Sequence, residues 1–118
     1  SATIEKRIAG KLISQALAAG YLISVCDSAF GEGEWVLRQS AKKKEILAAM
    51  FSTDSDLLMI GNPADPGPMG KPRKVAAVTL IYGNGADVIS DYSAADDAKL
   101  EAFTAWLQPV TAYAETFD

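Results

Sequence analysis

Residues 80–92, LIYGNGADVISDY, set two apolar runs on either side of Gly-Asn-Gly. Three readings compete: a glycine loop for a nucleotide phosphate, a metal site on Asp87 and Asp91, and a β-hairpin. The dinucleotide fingerprint needs a third glycine and must open a helix. Here Val88 takes that position and a strand-like run follows. Asn-Gly between alternating apolar runs is the strongest short hairpin signal, because both residues tolerate positive φ. The hairpin reading makes 75–82 and 87–92 strands. Val78, Leu80 and Tyr82 then share one face, and Thr79 and Ile81 the other. A strand apolar on both sides is central, or has its second face covered.

On a strand, Asp87 and Asp91 point to the same face about 13 Å apart, from the ~3.3 Å rise per residue. Oxygens of one metal site must lie within about 5 Å of each other. The pair reads as solvated charge, or as groups that block edge pairing.

Upstream, 61–74 (GNPADPGPMGKPRK) holds four of the five prolines and three of the nine glycines. That composition predicts a long surface loop without regular structure. Before it, LLMI (57–60) reads as a short strand. Asp54 and Asp56 sit at the spacing that begins a calcium loop, but Met59 stands where its glycine belongs. They are expected to hold a turn. YLISVC (21–26) and WVLRQ (35–39) form a first hairpin around DSAFGEGE, and Ser40 reads as the N-cap of a helix over 41–51. Ile4, Ile8, Leu12 and Ala16 recur every fourth residue, predicting a helix over 3–19 closed by Gly20. Ser93 and Asp96 resemble a capping box for a last helix with Leu100, Phe103, Trp106, Leu107, Val110 and Tyr113 on one stripe. Pro109 is expected to kink or split it. The order is α-β-β-α-β-β-β-α: one α+β domain over 1–118, a five-stranded, mainly antiparallel sheet with helices on at least one face.

Composition bounds the chemistry. The chain has 118 residues, no histidine, one cysteine and a net charge of −4. Without histidine, Ser-His-Asp and Cys-His mechanisms are impossible within the chain, and the commonest transition-metal ligand is missing. Cys26, in an apolar run, reads as a core residue. The glycine-lysine pair at 70–71 fails as a phosphate loop, since Pro72 stands where Ser or Thr is needed. No catalytic residue, cofactor site or metal site is assigned. No apolar run reaches the ~20 residues of a membrane span. Residues 1–20 lack the uninterrupted apolar centre of a signal peptide. The expectation is a cytoplasmic protein away from membranes.

Charge is uneven. Through Lys74 there are 10 basic and 8 acidic residues; from Val75 onward there is one basic residue against seven acids. Arg38 with Lys42, Lys43 and Lys44 forms one basic cluster, and Lys71, Arg73 and Lys74 another. Were the 61–74 segment to fold over the second helix, the clusters would join into a phosphate-binding patch. The acidic balance disfavours nucleic acid as a partner.

ILAAMFSTD, YGN and DVISDY, in this order over about the middle half of the chain, resemble a group of small uncharacterised bacterial proteins of phage- and plasmid-rich genomes. That resemblance implies a bacterial cytoplasm and an accessory gene of a mobile element, with no assigned activity to carry over. The 61–74 segment is longer than the resemblance leads one to expect.

Two functions follow as expectations. The first is a non-enzymatic protein-interaction module: helices on one face would leave Ile81, Tyr92 and their neighbours for a protein partner, and a homodimer is the simplest cover. Asp87 and Asp91, with Lys71, Arg73 and Lys74, complete its candidate surface. The alternative is a small-ligand or enzymatic site beneath 61–74 using Asp54, Asp56 or Tyr82.

Overall fold

The computed structural model describes residues 2–118. Its elements are α1 (Ala2–Ala18), β1 (Leu22–Cys26), β2 (Trp35–Ser40), α2 (Lys43–Ala49), β3 (Ser55–Pro66), β4 (Pro72–Ile81), β5 (Ile89–Ser93) and α3 (Asp97–Glu115). The five strands form one sheet in the order β2-β1-β3-β4-β5, with every neighbouring pair antiparallel. This is the α+β order that the periodicities predict. Among the described residues, no helix is long and apolar enough to cross a membrane.

The two faces of the sheet differ. Ile23 and Val25 of β1, Leu58 and Ile60 of β3, and Ala76, Val78 and Leu80 of β4 are buried in one core. That core also takes Ile8, Leu12 and Ile13 of α1, Ile46 of α2, and Phe103, Leu107 and Val110 of α3. Alternate positions on the same strands, Leu22, Leu57, Met59, Thr79 and Ile81, lie outside it and are half-buried. A strand sends successive side chains to opposite faces, so all three helices cover one face and leave the other without a helical layer. The loop between β1 and β2 folds over one end of the uncovered face. There the Ala29 N–H donates to Ser55 Oγ at 3.0 Å, and Thr53 Oγ1 donates to the Asp27 carbonyl at 2.7 Å. Cys26 is fully buried as expected, though it is not part of the helix-side core.

Local sequence explains the helix ends. α1 stops where Gly20, at φ +84°, reverses the chain. The Gly20 N–H bonds the Leu17 carbonyl at 3.0 Å and the Tyr21 N–H bonds the Ala16 carbonyl at 3.0 Å, which is the Schellman pair that satisfies orphan carbonyls. Ser40 is not the cap of α2. It ends β2, and its Oγ accepts from the Lys42 N–H at 3.1 Å, while the cap position falls on Lys42 without a side-chain bond. The three lysines entering that helix oppose its dipole, so it starts late and stays short. Likewise Asp96, not Ser93, caps α3 by accepting the Lys99 N–H at 2.8 Å. Pro109 lies inside a continuous α3 and does not split it.

The larger correction concerns 61–74. Instead of an irregular loop it is the outer half of a hairpin: β3 runs on to Pro66 and β4 begins at Pro72, with Gly61 opposite Lys74, Asn62 opposite Arg73, and Pro66 opposite Pro72. β1 pairs with β3 only as far as Gly61, and β5 pairs with β4 only over Ala77–Leu80. Beyond those points the ribbon is two strands with free edges, where proline costs no ladder hydrogen bond. A register shift between Ile60 and Gly61 places Val75 as an extra residue on β4. Such a bulge bends the ribbon, and both Val75 and Ala76 reach the helix-side core.

Candidate functional site

The Gly-Asn-Gly tip does close the β4–β5 hairpin, through a short 3-10 turn at Gly85–Asp87. Gly83 and Gly85 take positive φ (+102° and +61°), whereas Asn84 stays at −108°. This conformation turns three successive N–H groups to one point. Glu5 of α1, only 4% exposed, puts Oε2 there, and it accepts from Gly83, Asn84 and Gly85 at 2.7, 3.1 and 3.3 Å. Successive backbone donors of this kind make an anion nest. The glycine loop thus binds an anion, and that anion belongs to the protein.

Beside this latch lies a second polar pair. Asp56 Oδ2 accepts from the Phe51 N–H at 2.9 Å and from the Tyr82 hydroxyl. The carboxylate is fully buried and its Oδ1 has no partner. Burial raises the Asp56 carboxyl above its ordinary range, and the bonds from Tyr82 and Phe51 oppose that rise only in part. The Tyr82 phenol is pushed upward too, first by burial and then by its bond to Asp56. Phe51, held at φ +69° and with its ring tilted against Tyr82 at 4.8 Å between centroids, turns the chain from α2 into β3. So Asp56 holds a turn as expected, while Asp54 contributes through its carbonyl to the Tyr82 N–H at 3.0 Å. Among the described residues, no group of His, Cys, Asp or Glu could hold a metal ion.

Asp54, Asp56 and Tyr82 do not sit beneath the 61–74 arm. They lie at the inner end of the β3–β4 ribbon, and ten residues of strand, about 33 Å, separate Asp56 from Pro66. What lies beneath the arm is a groove of about 360 Å³ between the ribbon and α3. Its floor is Tyr21, Val75, Ala102, Phe103 and Trp106, and its rim is Asn62, Asp65, Arg73, Lys74 and Lys99. Tyr21 and Trp106 are 5.8 Å apart, and Phe103 and Trp106 stack at 5.3 Å. A second hollow of about 380 Å³ adjoins it, sharing Arg73, Lys74 and Lys99 and adding Lys71 and Ala95. Arg73 is engaged by Asp65 at 3.3 Å and by the Pro66 carbonyl at 3.3 Å.

The remaining expected surface residues scatter. Lys71, Arg73 and Lys74 gather with Lys99 of α3. In the Arg38–Lys44 cluster, Lys43 bonds Ser14 Oγ at 2.7 Å and Arg38 lies over the Trp35 ring at 5.7 Å. Ile81 faces the uncovered side. Asp91, opposite Thr79, also faces that side. Tyr92 is opposite Val78 and therefore lies under α3, where its hydroxyl meets Thr104 Oγ1 at 3.1 Å and its ring meets Phe103 at 5.4 Å. Asp87 is in the 3-10 turn and not on a strand, so it does not share a strand face with Asp91. Sequence reasoning missed Glu5, Trp106 and Lys99 as parts of sites.

Comparison of the chain with protein-family models, curated proteins and solved structures finds no match. The class that can be stated is the one the fold defines: an α+β domain whose antiparallel sheet carries helices on one side.

Proposed function

We propose that this chain is a non-enzymatic protein-interaction module that docks through the uncovered face of its sheet. One observation carries the reading. All three helices lie on one face, and the opposite face presents Leu57, Met59 and Ile81 on a central pair of strands, outside the core. Burying such side chains is worth about 25 cal/mol per Å² removed from water, so this face gains from a cover. A second copy is the simplest one, because a two-fold axis makes the same apolar surface complementary to itself. The resemblance to proteins of mobile genetic elements supports an accessory role in a bacterial cytoplasm.

Light scattering on a sizing column, across a range of concentrations, tests this. The expected result is a mass near twice 12.5 kDa, reduced to the monomer by Met59→Lys. A monomer at every concentration overturns self-association, and a dimer indifferent to Met59→Lys overturns the choice of face.

A further inference from the structure

The arm offers a second surface, along the free edge of β4 and on the helix side; Lys74 also borders the uncovered face, in a hollow with Leu22 and Met59. β5 covers β4 only over Ala77–Leu80. From Pro72 to Ala76, β4 has β3 on one side and, among the described residues, no strand on the other. Alternate backbone groups along such an edge point outward and can pair with an added strand. Beside this edge run the two connected hollows between the arm and α3. We infer that this edge and groove bind an extended acidic segment of a partner protein, added as a strand to β4 and anchored by one bulky apolar side chain over Phe103 and Trp106.

Three observations select that occupant. The groove volume of about 360 Å³ lies near the bottom of the ~300–1,000 Å³ range of ligand pockets. That suits a single large side chain better than a cofactor. The charge is complementary: in a chain of net charge −4, Lys71, Lys74 and Lys99 are exposed around the hollows, with Arg73 tethered to Asp65. No ion pair is formed by these three lysines among the described residues. Lysines are point charges that do not demand planar, two-pronged geometry, so carboxylates arriving at varied angles on a peptide satisfy them. Finally, an added strand sends alternate side chains to opposite faces. One set then enters the groove beside Lys99, and the other points to the uncovered side, where Lys74 lies opposite Gly61. A nucleic-acid strand fits less well, because Asp96, Asp97 and Glu101 continue along α3 beside Lys99 and repel a long polyanion.

Lysine and proline on a free edge also discourage indiscriminate pairing. Binding separates that role from a docking role. The probe is a blocked, fluorescein-labelled peptide alternating Glu and Val around one central Phe, titrated with the full chain and read by anisotropy. The expected result is saturable binding that weakens at least tenfold with Lys74→Glu or with Lys99→Glu. Replacing the peptide Phe by Ala, or N-methylating the peptide backbone, should weaken it similarly. Thermal unfolding confirms that both variants remain folded, and Lys99→Glu, exposed on α3, is the safeguard if Lys74→Glu does not fold. Several results would overturn the inference: no saturable binding, binding indifferent to both substitutions, or an N-methylated peptide that binds equally well. Tighter binding of oligothymidylate would hand the groove to nucleic acid. Loss of peptide binding as the protein self-associates would hand it to a second copy.

Discussion

Two of the sheet's glycine-bearing hairpin tips meet different ends. The tip at 83–87 is tied down: three of its N–H groups close on Glu5 of α1. The tip at 66–72 has no such tie among the described residues, and Met69 at its end is 92% exposed with φ +63°. Both are turn sequences by composition. What separates them is a partner far off in the chain, so whether a turn is a fixed corner or a free arm is decided by tertiary contact and not by its own residues.

The contrast can be broken most forcefully at Glu5. Glu5→Ala removes the common acceptor of three donors, and leaving charge-assisted bonds unmade should cost about 2–3 kcal/mol. A fall in the urea midpoint with an unchanged slope reads this out, and Glu5→Gln should recover part of it. A smaller effect is expected one residue inside the same tip. Tyr82→Phe strips a hydroxyl from buried Asp56 and should cost about 1–2 kcal/mol by the same measurement.

The Asp56 carboxyl, beside the tied tip, adds a pH dependence. Its pKa is raised in the folded chain, so the native state holds the proton more tightly than the unfolded chain does. Stability from this group is therefore full below the unfolded value of about 3.9 and is lost as pH rises through the folded one. Unfolding of the wild type should show this decline, and Asp56→Asn should flatten it. If the two curves remain parallel, burial is not what governs this carboxylate.

The smallest effect belongs to the free tip. Met69→Ser should alter stability by less than about 0.5 kcal/mol, as exposed substitutions away from special contacts do. Hydrogen exchange should sharpen the same contrast, with amides of Gly83 and Gly85 slower than that of Gly70.

Much of the framework was legible. The four-residue spacing of Ile4, Ile8 and Leu12 gives α1, and Asn84-Gly85 between apolar runs gives the β4–β5 hairpin, because both are local patterns with local causes. The arm is not legible from composition, because Pro63, Pro66, Pro68 and Pro72 read as breakers. A two-stranded ribbon tolerates them at its ends and on its free edges, and where the neighbouring strands β1 and β5 stop is not written in residues 61–74. Tyr92 was assigned to the wrong face: its position along the hairpin did not reveal that α3 would lie over Val78 and Tyr92 together. Glu5 was invisible for a plainer reason. Nothing in its neighbourhood points to residues 78 to 80 positions away. Lys99 and Trp106 looked like surface and stripe on α3, and only the bending of the arm toward that helix makes them a rim and a floor.

The Glu5 latch also has a consequence in time. Closing it joins residues 78 positions apart, and contacts of such long range are slow to form. During synthesis α1 can take shape early, but its carboxylate has no N–H donors to accept from until the Gly-Asn-Gly turn has left the ribosome. Until then the central strands lack their last corner. Closing the β4–β5 corner therefore waits for the late arrival of a loop at a carboxylate set in the first turn of α1.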